Sequence, residues 1–294
     1  MDITRRKPSN TTSPMTSLLK AVSILQCFSY DEPELYISHI VNKVELPRTT
    51  VHRILSTLVR SGLLSRKNNT GKYRIGPTLY TLGSLYLVTT DILAAAEPVM
   101  QLLNELTGEA IKVSVFDRGN VIVIKKEESK YEFRYQHAVG SILPAYASGM
   151  GKAFLSELSE MEIESLYPNE ILKPLTRRTI ATKTELKAEL KQARSNGFSV
   201  DREGNTEGLC GVGCVIRDAT GKVVAAMSIG VPAHTFTEER MLKLGTLNSM
   251  GASLISYQLG YQDADNKVRS LEDIAYWWES VQNIQSAEMM RSIA

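Results

Sequence analysis

The side chains that could do chemistry are few, and their spacing excludes most enzymes. Ser148-Gly149-Met150-Gly151-Lys152 resembles part of a phosphate loop. That loop, however, needs glycine where Tyr146 stands and Ser or Thr where Ala153 stands. No Gly-x-Ser-x-Gly elbow and no His-Glu-x-x-His zinc helix occurs. The four histidines (His39, His52, His137, His234) are scattered, a poor supply for acid–base work or metal ligation. Cys210 and Cys214 form a C-x-x-x-C pair that could sense oxidants, but no further Cys or His stands near to complete a tetrahedral metal site. A small buried thiol is the plainer reading. We therefore expect no enzyme, no metal and no cofactor, and keep oxidation sensing through Cys210 and Cys214 as an alternative.

A second set of residues points to nucleic acid. Arg48, Thr49, Thr50 and Arg53 lie at the start of the segment 47–62, where Val51, Ile54, Leu55, Leu58 and Val59 repeat at helical spacing. At about 100° per residue the face opposite that stripe carries Thr49, Arg53, Ser56, Thr57 and Arg60. Pro47 suits the first turn of this helix, and Gly62 suits a left-handed cap. Two earlier helical patterns precede it, at 17–29 and 36–46, the second ending at Pro47. Two strand-like runs follow, around Asn68-Asn69-Thr70-Gly71. Three helices and a hairpin make a winged helix-turn-helix, whose third helix enters the major groove of double-stranded DNA. Arg48, Thr49, Thr50 and Arg53 are then placed for base edges. Lys67, Lys72 and Arg74 on the wing are placed for phosphate or minor-groove contacts, which position rather than specify.

Charge supports this assignment. Residues 1–76 hold twelve Lys and Arg against five Asp and Glu, a balance of +7, while the remaining 22 basic and 27 acidic residues leave −5. From Pro47 to Arg74 there are seven basic residues and no acid. A basic module on an acidic body is the footprint of a polyanion binder. The 294-residue length suits two domains, and 43% hydrophobic with 22% charged residues is ordinary for a soluble protein. Three cysteines fit a reducing cytoplasm better than a disulfide framework. No run is long enough to span a bilayer, and the N-terminus is basic without an apolar core, unlike a secretory signal.

These signals divide the chain into a disordered basic arm (1–15), the winged helix-turn-helix (16–76) and a linker helix (77–91). Residues 92–260 make a mixed domain, followed by a helical, amphipathic extension (261–294) with Trp277, Trp278, Ile284, Met289 and Met290. The linker's Leu79, Leu82, Leu85 and Tyr86 are too apolar for a lone helix in water, which suggests burial against a second copy. In the mixed domain, helices are expected at 93–108, 159–166, 182–197 and from Thr237 to about Gly260. Strands are expected either side of Asp117-Arg118-Gly119-Asn120, at 131–138, 211–217 and 222–231. A loop and helix occupy 143–158. This order fits an α+β fold, an antiparallel sheet with flanking helices.

From about Thr16 to Gly260 the sequence resembles the IclR family of bacterial transcription regulators. The motifs are S-L-L-K-A-V-S-I-L at 17–25, P-R-T-T-V-H-R-I-L at 47–55, G-K-Y-R-I-G at 71–76, L-P-A-Y-A-S-G-M-G-K-A at 143–153 and D-A-T-G-K-V-V-A-A-M-S-I-G-V-P at 218–232. The resemblance implies a GAF-like effector domain, a homodimer or dimer of dimers, and operator affinity modulated by a small organic acid or related metabolite. It also implies an effector site. Gly149 and Met150 would bond a carboxylate through backbone N–H groups, as a helix N-terminus favours. Asp201, an acid preceding the fourth strand, Gly211 and Ser228 would contribute further, and Leu143 and Leu209 would form an apolar wall. Where relatives often carry Cys or Ser, this chain has Gly211 and Gly230. With Tyr131, Tyr135 and Tyr146 nearby in sequence, the expected effector is a larger aromatic or sugar-derived acid.

Overall fold

A computed structural model describes residues 15–29, 32–88, 91–131, 137–263 and 266–293, with 15, 16, 86–88 and 283–293 described by backbone alone. The expected basic arm and Tyr135, in the expected strand 131–138, lie outside the described residues. The chain forms two compact units, divided between Thr90 and Asp91. The linker helix groups with the first unit and the C-terminal extension with the second.

The first unit runs α1 (Met15–Leu25), β1 (Glu34–Leu35), α2 (Ile37–Val44), α3 (Arg48–Arg60), β2 (Leu64–Arg66), β3 (Tyr73–Ile75) and α4 (Pro77–Val88). Val51, Leu55 and Leu58 of α3 are buried with Ile24, Leu35, Ile40 and Leu64, so the expected stripe holds α3 against α1 and α2. Between α2 and α3 the chain turns through Glu45, which caps α2 in the left-handed region with its N–H donated to Val41 O. Gly62 follows α3 at φ +73°, a backbone conformation that disfavours any side chain. The wing sheet has a strand the sequence did not signal: β1 pairs with β3, giving the order β1-β3-β2.

The second unit opens with α5 (Ile92–Thr107), ended by left-handed Gly108. Strands β4 (Ala110–Asp117), β5 (Asn120–Glu127) and β6 (Ile142–Pro144) follow, then a 3-10 turn and helices α6 (Gly149–Ser156), α7 (Glu160–Leu166) and α8 (Lys183–Asn196). Strands β7 (Ser199–Arg202), β8 (Leu209–Arg217) and β9 (Val223–Pro232) and helices α9 (Glu238–Gln258) and α10 (Leu271–Ile293) complete it. The six strands are antiparallel in the order β6-β5-β4-β9-β8-β7. The edge strands β6 and β7 are short, three and four residues, and the sequence pattern marked neither.

Alternation along the strands sorts the two faces. Met227 of β9 faces α9 and α5, since a Cβ at Gly251 would meet the Met227 methyl, Val99 and Leu103. The opposite face receives the start of α6. A Cβ at Gly213 would lie 2.5 Å from Gly149 C and 2.7 Å from Met150 N. Glycine at 213 is what lets the N-terminus of α6 rest directly on β8.

Candidate functional site

Two groups of residues emerge, one in each unit. In the first, Arg48, Thr49 and Arg53 are exposed at the start of α3 and Thr50 is half-buried. Ser56, Thr57 and Arg60 continue the same exposed face. A helix presented this way, with its apolar stripe committed to the core, can enter a major groove.

The wing residues are more engaged than their sequence suggests. Lys67 Nζ lies 2.6 Å from Glu34 Oε1, and the Lys72 ammonium sits 5.1 Å from the Tyr36 ring centroid. Arg74 is exposed and stands opposite Glu34 in the β1–β3 register. The hydrogen bond from Lys67 holds the Glu34 carboxyl below its usual range, with Lys67, Lys72 and Arg74 adding their charge. Glu34 and Tyr36 are therefore part of this basic surface. Nothing in the local sequence announces this, because the pairing depends on the unsignalled strand β1.

In the second unit the residues named from the resemblance come together. Leu143, Gly149 and Met150 line one cavity of about 50 Å³. So do Asp201, Leu209, Gly211 and Ser228. The strand register explains the gathering. On the face under α6, one cross-strand row reads Ser199, Gly213, Ser228, Lys112, Lys126, and the next reads Asp201, Gly211, Gly230, Ala110. The floor between Asp201 and Lys112 is thus made of glycine and serine. Ser148 caps α6 by accepting from Gly151 N–H at 3.1 Å. Among the described residues, the N–H groups of Gly149 and Met150, the first two of α6, find no acceptor. Ser199 Oγ lies 2.6 Å from Gly149 O and fixes this end of the helix to β7.

Asp201 precedes β8, the strand expected at 211–217, and itself stands within β7, opposite Gly211. Its Oδ1 accepts from Gly204 N–H at 2.7 Å. Burial raises its carboxyl to about 6, against the opposing pull of Lys152 and backbone hydrogen bonds.

Lys112, His137 and Asn205 also line the cavity, and sequence reasoning passed over all three. Burial lowers the Lys112 ammonium to about 8, helped by Lys126 and opposed by Glu128 and Asp201. Burial and the two lysines bring His137 down to about 4, so the ring is neutral at pH 7. Its Nε2 lies 3.1 Å from Asn205 Nδ2.

Tyr131 and Tyr146, near the site in sequence, do not line the cavity. Tyr146 packs edge-on to Tyr167 and donates to Lys173 O at 2.7 Å, while the Tyr131 hydroxyl is 3.3 Å from Thr107 O. The cavity of about 50 Å³ is open on one side. Cys210 and Cys214 are free, buried thiols, raised by burial to about 11 and about 12. Four residues apart on one strand, their backbones are separated by roughly 13 Å, beyond disulfide reach. Neither the reactive thiolate nor the pairing that oxidation sensing needs is present.

Comparison with known proteins agrees with this architecture. Residues 17–67 match the IclR helix-turn-helix domain, and residues 84–257 match the bacterial transcriptional regulator IclR C-terminal domain. The chain is 31% identical to the acetate operon repressor of Salmonella typhimurium, over 87% of this chain and 95% of that protein. It is 33% identical to the HTH-type transcriptional repressor AllR of Escherichia coli, over 83% and 90%. Among solved structures, Thermotoga maritima IclR is similar at 29% identity and a TM-score of 0.64, over 84% of this chain and all of that one. An IclR homolog from Microbacterium hydrocarbonoxydans, complexed with 4-hydroxybenzoate, has the same fold at 23% identity and a TM-score of 0.70, over 82% and 99%. These relatives are regulators, not enzymes. A helix-turn-helix in one unit and an IclR C-terminal domain in the other are what such regulators carry, and this chain belongs to the IclR family of bacterial transcription regulators.

Proposed function

We propose that the chain is a cytoplasmic, sequence-specific repressor whose operator affinity is set by a small carboxylic acid bound in the cavity under α6. The observation that carries this reading is the pair of unsatisfied N–H groups at Gly149 and Met150, opening where the helix dipole favours an anion. The bound 4-hydroxybenzoate in the Microbacterium homolog supports a carboxylic acid as the class. Asp201 and Ser228 supply polar contacts from the sheet, Gly211 leaves room between them, and Leu143, Met150 and Leu209 close the apolar side. At the DNA, Arg48 and Arg53 read base edges with Thr49 and Thr50 beside them, while Lys67, Lys72 and Arg74 hold the phosphates.

The working form is a homodimer or a dimer of dimers. Leu82 and Leu85 of α4 are more than half exposed, as are Leu18 and Leu19 of α1. Apolar helix faces of this kind are ordinarily covered in the active molecule, and a two-fold partner also suits the two half-sites of an operator. A mobility shift of the purified protein on its own upstream DNA, with and without short carboxylic acids, tests the whole reading. Salt-sensitive binding altered by one acid is the expected result. Binding that no acid alters would overturn the effector assignment and leave the DNA role standing.

A further inference from the structure

The effector cavity carries more polarity than an acid site requires. Its donors are the Gly149 and Met150 N–H groups, over β8, and the Lys112 ammonium, rising from β4 two strands away. Lys112 is 6% exposed. At the other edge, on β7 and the loop after it, stand acceptors: the Asp201 carboxylate and Asn205 Oδ1. That Oδ1 is buried and has no donor among the described residues. Three strand spacings, roughly 14 Å of backbone, separate the strands of Asp201 and Lys112. Between them the floor is Gly211, Gly213, Gly230 and Ser228, too small to bridge the two ends.

Asp201 Oδ1 already accepts from Gly204 N–H, so a ligand that brought only a carboxylate would serve the donors and leave Asn205 Oδ1 without one. A buried acceptor left without a donor costs more than a hydrogen bond contributes. We propose that Lys112 and Asp201 make the cavity two-ended, so that its ligand is a short carboxylic acid with a hydroxyl or amine donor at the end away from the carboxylate. The inference rests on the effector reading above and adds the ligand's second functional group and the residue that anchors its charge. Lys112 already interacts with Asp201 and Glu128 electrostatically, and the ligand's carboxylate adds a counter-charge inside the cavity. His137, neutral at pH 7, does not compete with it for that role.

Calorimetric titration of the full-length protein with propionate, 3-hydroxypropionate and β-alanine tests the proposal. In the natural protein at least one of the two donor-bearing acids binds about tenfold or more tighter than propionate. Lys112→Met weakens that acid about 30-fold or more, and Lys112→Arg recovers most of the loss. Asp201→Asn removes the preference over propionate while propionate itself still binds. A melting curve establishes that each variant is folded, and the natural-protein comparison decides even if one is not. Equal affinity for all three acids, or full affinity in folded Lys112→Met, overturns the two-ended site and leaves the effector reading intact. If none of the three binds in the millimolar range, both fall.

Discussion

The two units place their working groups oppositely. In the first, Arg48, Thr49 and Arg53 stand in solvent on a helix whose other face is core. In the second, Lys112 and the Asp201 carboxyl are held inside a wall of sheet and helix. Exposed cations keep their hydration until DNA arrives, so their contribution is governed by salt and counterion release. Buried charges have already lost hydration, so theirs is governed by protonation and by what else enters the cavity. If the proposed sites are right, the surface should respond to salt and the pocket to pH, each to its own variable and not to the other.

The strongest way to break this contrast is at α3. Replacing both Arg48 and Arg53 by Ala removes two candidate base contacts, each worth about 1–3 kcal/mol of discrimination. A loss of operator affinity of about 100-fold or more is expected, with preference over random DNA falling and the melting temperature unchanged, since both side chains are exposed. A mobility shift on operator and scrambled duplexes measures it. Retained specificity would place the reading head elsewhere.

The next effect is at Gly213. An added methyl would lie 2.5 Å from Gly149 C, and backbone on both sides leaves little room to yield. Gly213→Ala should cost about 2–3 kcal/mol of stability and displace the N–H groups that open the cavity. Effector response should vanish in folded protein while operator binding persists. Unaltered response would show that α6 does not depend on this contact.

These two sites also differ in how far the sequence exposed them. The α3 face is local: Val51, Leu55 and Leu58 repeat within one helix, so the exposed face follows by angle. The hairpin at Asn68-Asn69-Thr70-Gly71 is local as well. The cavity is not. Gly149, Met150 and Asp201 came from the family resemblance, but Lys112 alternates with Ile111 and Val113 and reads as an ordinary surface lysine on a half-exposed strand. Only the cross-strand register with Ser228 and Gly213 puts it under α6. The edge strand β7, which carries Asp201, is four residues long, too short to show a period. The linker's apolar face was legible from Leu82 and Leu85, whereas Tyr131 and Tyr146, close to the cavity residues in sequence, do not line the cavity.

Protonation sharpens the contrast. Lys112 titrates at about 8 when folded and at 10.5 when not. Between those values the unfolded chain binds more protons, so stability rises with pH there, and below about 8 the full cost of the buried charge is present. Lys112→Met removes that cost. Its melting temperature should exceed that of the natural protein at pH 7, by about 1–2 kcal/mol of stability, and the gap should close toward pH 10. Arg53→Ala should show no such trend. A gap constant across pH would mean that the lysine's stem, not its charge, sets the difference.

The smallest expected effect lies on the wing, where the exposed surface carries its own internal acid. Glu34 pairs with Lys67 and faces Arg74 across the β1–β3 register. A phosphate approaching this edge must compete with that carboxylate, and an exposed ion pair offers little resistance. Glu34→Gln should therefore strengthen DNA binding about twofold to threefold at low salt and scarcely at all at high salt, because screening erases the carboxylate's repulsion. It should act alike on operator and scrambled duplexes, since phosphates carry no sequence. Lys67→Ala should do the reverse, weakening both duplexes and lowering the salt slope by about one counterion. If Glu34→Gln instead weakened binding, the acid would be ordering Lys67 for its phosphate rather than opposing it. The wing would then resemble the cavity, with charges arranged before the ligand arrives, and the contrast between the two units would be one of burial alone.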